Sequence, residues 1–167
     1  MDSTLELAIK QISFAQSYTL ELLEDIDDAD WFAVPEGATT HVAWQVAHLA
    51  MARYGLCLFR QRGRADVDRD LLPRGFVKSY GKGSTPDPAP ENNLSPTEIR
   101  DIYEKVSQQA LAEMEGFSDE QLNESIDMPY AVYPTKLGCL IFCSHHEMLH
   151  AGQIGLIRRL LGKEPVR

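Results

Sequence analysis

Three histidines form the pattern in this chain best suited to chemistry: His48 within HVAWQVAHLAMARYG, and His146 with His150 within CSHHEMLHAGQIGLIRR. Residues four apart share one helix face, so His146 and His150 can aim both imidazoles at one point. A histidine from a neighbouring antiparallel helix would complete the set, and three neutral nitrogens leave a bound metal with open coordination positions. That suits a catalytic or substrate-binding metal better than a closed structural one. An isolated pair of this spacing is common by accident, as two exposed or internally satisfied histidines. His48 shifts the balance, because in an Ala-, Leu- and Trp-rich helix an unpaired imidazole would carry a desolvation cost of roughly 1–3 kcal/mol.

Other residues compete for the same roles. His41 lies on nearly the face of His48 but about 10 Å further along the axis, too far for a shared ion, and reads as a helix-start residue. His145 falls off the four-residue spacing and points elsewhere. The string from His146 to His150 also satisfies HExxH, in which the glutamate is the general base of a zinc protease. The extended protease form would want glycine at 153 and histidine at 156, where this chain has Gln153 and Leu156. Beyond His150 the only carboxylate side chain is Glu164, outside the helix, so the third ligand must come from upstream, at His48. Glu147 stands as the candidate catalytic base or an acceptor behind a ligand, and otherwise as an exposed helix residue. Cys139 and Cys143 would close the site as thiolates, but small buried cysteines more often fill a core. Tyr80, Tyr130 and Tyr133 sit in long connections and could equally line a mouth or pack as lids.

The elements that must position these residues are helical. Ser3 or Thr4 can cap a first helix to about Asp25, with Leu5, Ile9, Ile12 and Leu20 at helical spacing and Leu23 and Ile26 near that face. Thr39 or Thr40 can cap a second, to about Gln61, that is apolar nearly all round and so belongs in the middle of a bundle. From Gly63 to Leu94 four prolines and four glycines forbid a long regular element. Such a stretch is either a functional lid or a crossover carrying the chain back along the bundle. Ser95-Pro96-Thr97-Glu98 is a capping box with proline at the first helical position, opening a third helix that Gly116 stops. A turn-rich connection follows, with a short extended piece around Met128 to Tyr133, and Thr135 caps a fourth helix from Lys136 to Leu161. On that helix Cys139, Cys143, His146, His150, Gln153 and Ile157 form one stripe. The expected fold is all-α, a four-helix bundle with a long crossover, in one domain over 1–167.

Composition narrows the function. The net charge of -9 argues against phosphate-tracking nucleic-acid binding and against anionic membranes. The amino terminus lacks the pattern of a signal peptide, and nothing approaches the roughly 18 apolar residues of a membrane span. Three cysteines are no disulfide framework, which points to a reducing cytoplasm.

On these residues the chain resembles the DinB/YfiT-like superfamily of metal-binding four-helix bundles. Its members carry W-x-x-x-H in the second helix and H-x-x-x-H-x-G-Q in the fourth, followed by a basic pair and a glycine. Here those are Trp44 to His48, then His146, His150, Gly152 and Gln153, then Arg158, Arg159 and Gly162. The resemblance covers nearly the whole chain, including the long connection. It implies a metal held by His48, His146 and His150, usually zinc or nickel, and frequently a homodimer. Relatives include S-transferases that use low-molecular-weight thiols such as bacillithiol or mycothiol, and a maleylpyruvate isomerase. Many relatives have histidine or arginine around the position of Ala151; alanine leaves the triad intact but removes any supporting role there.

The expectation is therefore a metal-dependent enzyme of the thiol S-transferase or hydrolase class, acting on a small molecule. The ion would lower the pKa of a bound thiol or water. The alternative is a non-catalytic, metal-stabilised bundle that senses, binds in a stress response or dimerises. A third is that the histidines never meet.

Overall fold

A computed structural model describes residues 3–128, 131 and 133–166. Four long helices build it. Helix α1 spans Ser3–Leu23 and α2 spans Val42–Arg53; α2 continues through a π-helical segment, Tyr54–Phe59, into a last turn, Arg60–Arg62. Short helices α3 (Asp68–Leu71) and α4 (Phe76–Tyr80) punctuate the crossover, followed by α5 (Pro96–Met114), the short α6 (Asp119–Leu122) and α7 (Lys136–Leu160). The fold is all-α, and none of the described helices is long and apolar enough to cross a membrane.

Each long helix buries the face its spacing marks. On α1, Leu5, Ala8, Ile12, Ala15 and Leu22 are inside, and on α5, Ile99, Ile102, Tyr103, Val106, Ala110 and Met114. Helix α1 packs along α7, α2 along α5, and α2 also meets α7. That last contact decides the site, because His48 rides on α2 and the other two histidines on α7. Helix α2 takes the central position expected of it, with Val42, Ala43, Val46, Ala47, Leu49 and Ala50 all buried.

The helix ends show where local rules held and where they yielded. Ser95 accepts from the Glu98 N–H (3.3 Å), Glu98 accepts from the Ser95 N–H (2.8 Å), and Pro96 follows, completing the capping box. Thr135 caps α7 by accepting from the Gly138 N–H (3.2 Å), and Gly162, at φ 81°, closes it. Helix α2 departs from expectation: its cap is His41, not Thr39 or Thr40. One imidazole can accept and donate at once, so Nδ1 takes the Trp44 N–H (3.1 Å) while Nε2–H reaches the Asp87 carbonyl (3.0 Å). The Thr40 hydroxyl is used elsewhere, accepting from Gln45 Nε2 (3.1 Å).

The stretch from Gly63 to Leu94 holds no long element, but it is fastened down. Arg62 binds Asp68 (2.7 Å) and Glu113 (2.6 Å), Tyr54 donates to Asp68 (2.9 Å), and Trp44 Nε1–H donates to Ser84 Oγ (2.9 Å). With His41 on Asp87, these ties lay the crossover along α2 as a strap. Of the connection before α7, an isolated antiparallel bridge joins Ser125 to Thr135; Tyr130 and part of the extended piece expected there lie outside the described residues.

Candidate metal centre

His48, His146 and His150 converge. One ring nitrogen from each lies within 4.8 Å of the others, and they form the one such group of three or more metal-ligating side chains found among the described residues. His146 Nε2 and His150 Nε2 are 3.2 Å apart, the consequence of one helical turn between them on α7. The site is lined by apolar rings: Trp44 stacks on His48 at 4.7 Å between centroids and 10° between planes, and Phe142 lies 5.7 Å from His146.

Two of the three tautomers are set from behind. His48 Nδ1 lies 2.7 Å from the Tyr80 carbonyl, which can only accept, so this nitrogen carries the proton and Nε2 is bare. His150 Nδ1 meets Gln45 Oε1, and Gln45 is oriented in turn by donating through Nε2 to Gln153 Oε1 (2.8 Å) and Thr40. His150 therefore also turns a bare Nε2 toward its neighbours. Bare lone pairs facing one another repel unless a cation or a proton lies between them.

Protons are a poor choice here. Burial drives His150 down to about 3 and His146 to about 4, with the neighbouring histidines adding to the shift. His48 is lowered as well, by burial, against a smaller opposing pull from the Tyr80 carbonyl. At neutral pH all three are uncharged, the form in which imidazole binds metal. The donor set therefore fits a divalent ion held by three Nε2 atoms.

Glu147 is not brought to this group. It is 2% exposed, which overturns the expectation of a surface residue, and its carboxylate belongs to a buried cluster. Arg53 Nη2 and the Tyr103 hydroxyl bond its two oxygens, and Thr19 adds a longer bond (3.3 Å). Arg53 also donates to Ser107 (2.7 Å) and Gln16 (2.8 Å). Burial opposes the charge on Arg53 more than any one neighbour favours it, but the Glu147 carboxylate together with Tyr103, Cys143 and Cys57 outweighs it and raises the guanidinium pKa. The cluster ties α7 to α1, α2 and α5 one residue from a candidate ligand.

The remaining candidates separate cleanly. His145 is exposed and apart, and His41 serves as the cap of α2. Cys139 and Cys143 are free and buried; Cys139 lies 2.9 Å from the Met128 sulfur, and burial pushes its thiol up to about 12. Both are core residues. Tyr80 contributes its backbone carbonyl to the site, while its ring is buried and its hydroxyl donates to Asn93 (3.2 Å). Tyr133 is exposed. Gln45 was not singled out from sequence, although a buried amide three residues before His48 in an apolar helix was a readable signal. Arg158 proves structural: it donates to the Leu22 carbonyl (2.7 Å) and pairs with Asp25, fastening the end of α1 to α7.

Beside the histidines opens a cavity of about 420 Å³. His48 and His146 line it together with Met51, Leu56 and Phe142, and the π-helical segment supplies Gly55 and Leu56 to its wall. Such segments inside α-helices recur at functional sites.

A helical bundle with a three-histidine cluster between its second and last long helices defines a class of proteins rather than an activity. The sequence profile of the DinB superfamily matches residues 11–154, and the chain belongs to that superfamily. The crystal structure of a conserved protein from Enterococcus faecalis has the same fold, at a TM-score of 0.75 and 18% identity, covering 98% of this chain and 99% of that one. No curated protein matches.

Proposed function

We propose that this chain is a metal-dependent enzyme that transfers a small thiol to an electrophilic acceptor, with zinc or nickel held by His48, His146 and His150. The observation that carries the reading is the convergence of three ring nitrogens within 4.8 Å, two of them fixed as bare acceptors by Tyr80 and Gln45. An ion bound by three imidazoles keeps open positions and makes a thiol or water placed there a nucleophile at neutral pH.

What the chain adds is placement. Met51, Leu56 and Phe142 give an apolar wall on which an acceptor can lie next to the histidines. Thiol transfer is favoured over hydrolysis because Glu147, the one candidate base suggested by the sequence, is engaged with Arg53 and Tyr103. A thiol held by such an ion would lose its proton to water without a base from the chain. Glu147 then holds α7 in position.

The test is turnover by protein loaded with zinc or nickel, with cysteine as thiol and monobromobimane as electrophile, alongside 4-nitrophenyl acetate for hydrolysis. The expected result is metal-dependent thiol consumption, abolished in His146→Ala, with little ester hydrolysis. Bound metal that raises the melting temperature but gives no turnover with either pair would leave a metal-stabilised binding module.

A further inference from the structure

The lining of the cavity carries a charge pattern opposite to that of the whole molecule. The chain has 25 acidic and 16 basic side chains. Yet the cavity wall includes Arg60 and Lys82 and, among the described residues, no aspartate or glutamate. The two cations come from separate elements: Arg60 opens the turn that follows the π-helical segment of α2, and Lys82 lies in the strap just beyond Tyr80, whose carbonyl orients His48. Arg60 is held at the rim by donating through Nη1 to the Asp127 carbonyl (3.1 Å). The other described wall residues are apolar apart from the two histidines.

We infer that this cavity takes an anionic amphiphile: a small molecule with an apolar body and one negatively charged head, such as a carboxylate. The head lies against Arg60 and Lys82, and the body packs on Met51, Leu56 and Phe142 with His48 and His146 in the same wall. A neutral ligand of the same shape gains only the apolar contacts, and a cation is repelled at the rim. In a protein of net charge -9, an anion is drawn to this cavity by the local pair and not by the overall field. The inference rests on the proposed function only for the ligand's role as substrate; the preference for an anion belongs to the cavity with or without an ion at the histidines.

The experiment measures binding of 4-phenylbutyrate and of 4-phenyl-1-butanol by calorimetry, to zinc-loaded and to chelator-treated protein. Each is repeated on Arg60→Gln/Lys82→Gln, two exposed positions. Because hydrogen bonds to charged groups contribute more than neutral ones, the carboxylate should bind about tenfold tighter than the alcohol in wild type, in both metal states. That ratio should fall toward unity in the double variant, whose zinc content per chain should match wild type. Equal binding of the two probes, binding of neither, or a carboxylate preference that survives in the double variant or appears only with zinc would overturn the inference. Loss of the proposed metal chemistry shows separately, as no zinc in wild type by elemental analysis while the anion preference persists.

Discussion

At the scale of single residues, the site is defined by what stands behind two of its histidines as much as by the three themselves. His48 leans on the Tyr80 carbonyl and His150 on Gln45, so the two imidazoles enter the cluster already in the tautomer that binds a cation. Replacing Gln45 with leucine should leave the helices intact and weaken metal affinity by about 10–100-fold, measured by competition with a chromogenic chelator. Titration gives a second expectation. His146 at about 4 and His150 at about 3 sit below the roughly 6.5 of an unfolded histidine, so between these values the unfolded chain binds protons that the folded chain refuses. Their contribution is complete above about pH 6.5 and is lost as pH falls through the folded values. In chelator-treated protein the melting temperature should therefore drop on acidification, and more steeply than in His146→Gln/His150→Gln. An equal slope in both would remove these histidines as the cause. Glu147 belongs to a different account: Glu147→Ala leaves Arg53 charged, buried and unpaired, and should lower unfolding free energy by about 3–5 kcal/mol in a denaturant titration.

At the scale of elements, the strap carries more of the site than its composition suggests. It supplies the carbonyl behind His48 and the hydroxyl that receives Trp44, and it is pinned at Asp68 and Asp87. Gly81 is the tight point, since a Cβ there would lie 2.4 Å from the Val77 carbonyl oxygen. Gly81→Ala must move the chain next to Tyr80, so it should reduce metal affinity while circular dichroism stays helical. The long helices were legible in sequence because their signals are local: the apolar spacing of α1, the Ser95 box and Gly116 around α5, and Thr135 and Gly162 around α7. The strap's role was not, because a backbone carbonyl leaves no mark in a sequence. The cap of α2 was misassigned to a threonine because the acceptor that makes His41 the better choice, at Asp87, lies 46 residues away. Glu147 was ambiguous for the same reason, since HExxH is a local pattern and its partners Arg53 and Tyr103 come from other helices. The three histidines could be singled out because two of them obey helical spacing and the third was a polar misfit in an apolar helix, and the structure brings them together.

At the scale of the molecule, the histidine cluster joins α2 to α7, helices whose mutual packing is less extensive than that of α1 on α7 or α2 on α5. An ion held by both should lock this seam, and ligand that binds only the folded state stabilises it by about 2.7 kcal/mol at a hundred times its dissociation constant. Chelation should accordingly lower the melting temperature, reversibly, on adding back zinc or nickel. The most direct measurement is elemental mass spectrometry of purified, untagged wild type beside His48→Ala and His150→Ala, each checked for helical content. The expected result is about one ion per chain in wild type and loss in both variants, since each removes one of three ligands. Wild type that stays metal-free after reconstitution with zinc and nickel, or an ion retained in both folded variants, would contradict a shared three-histidine centre.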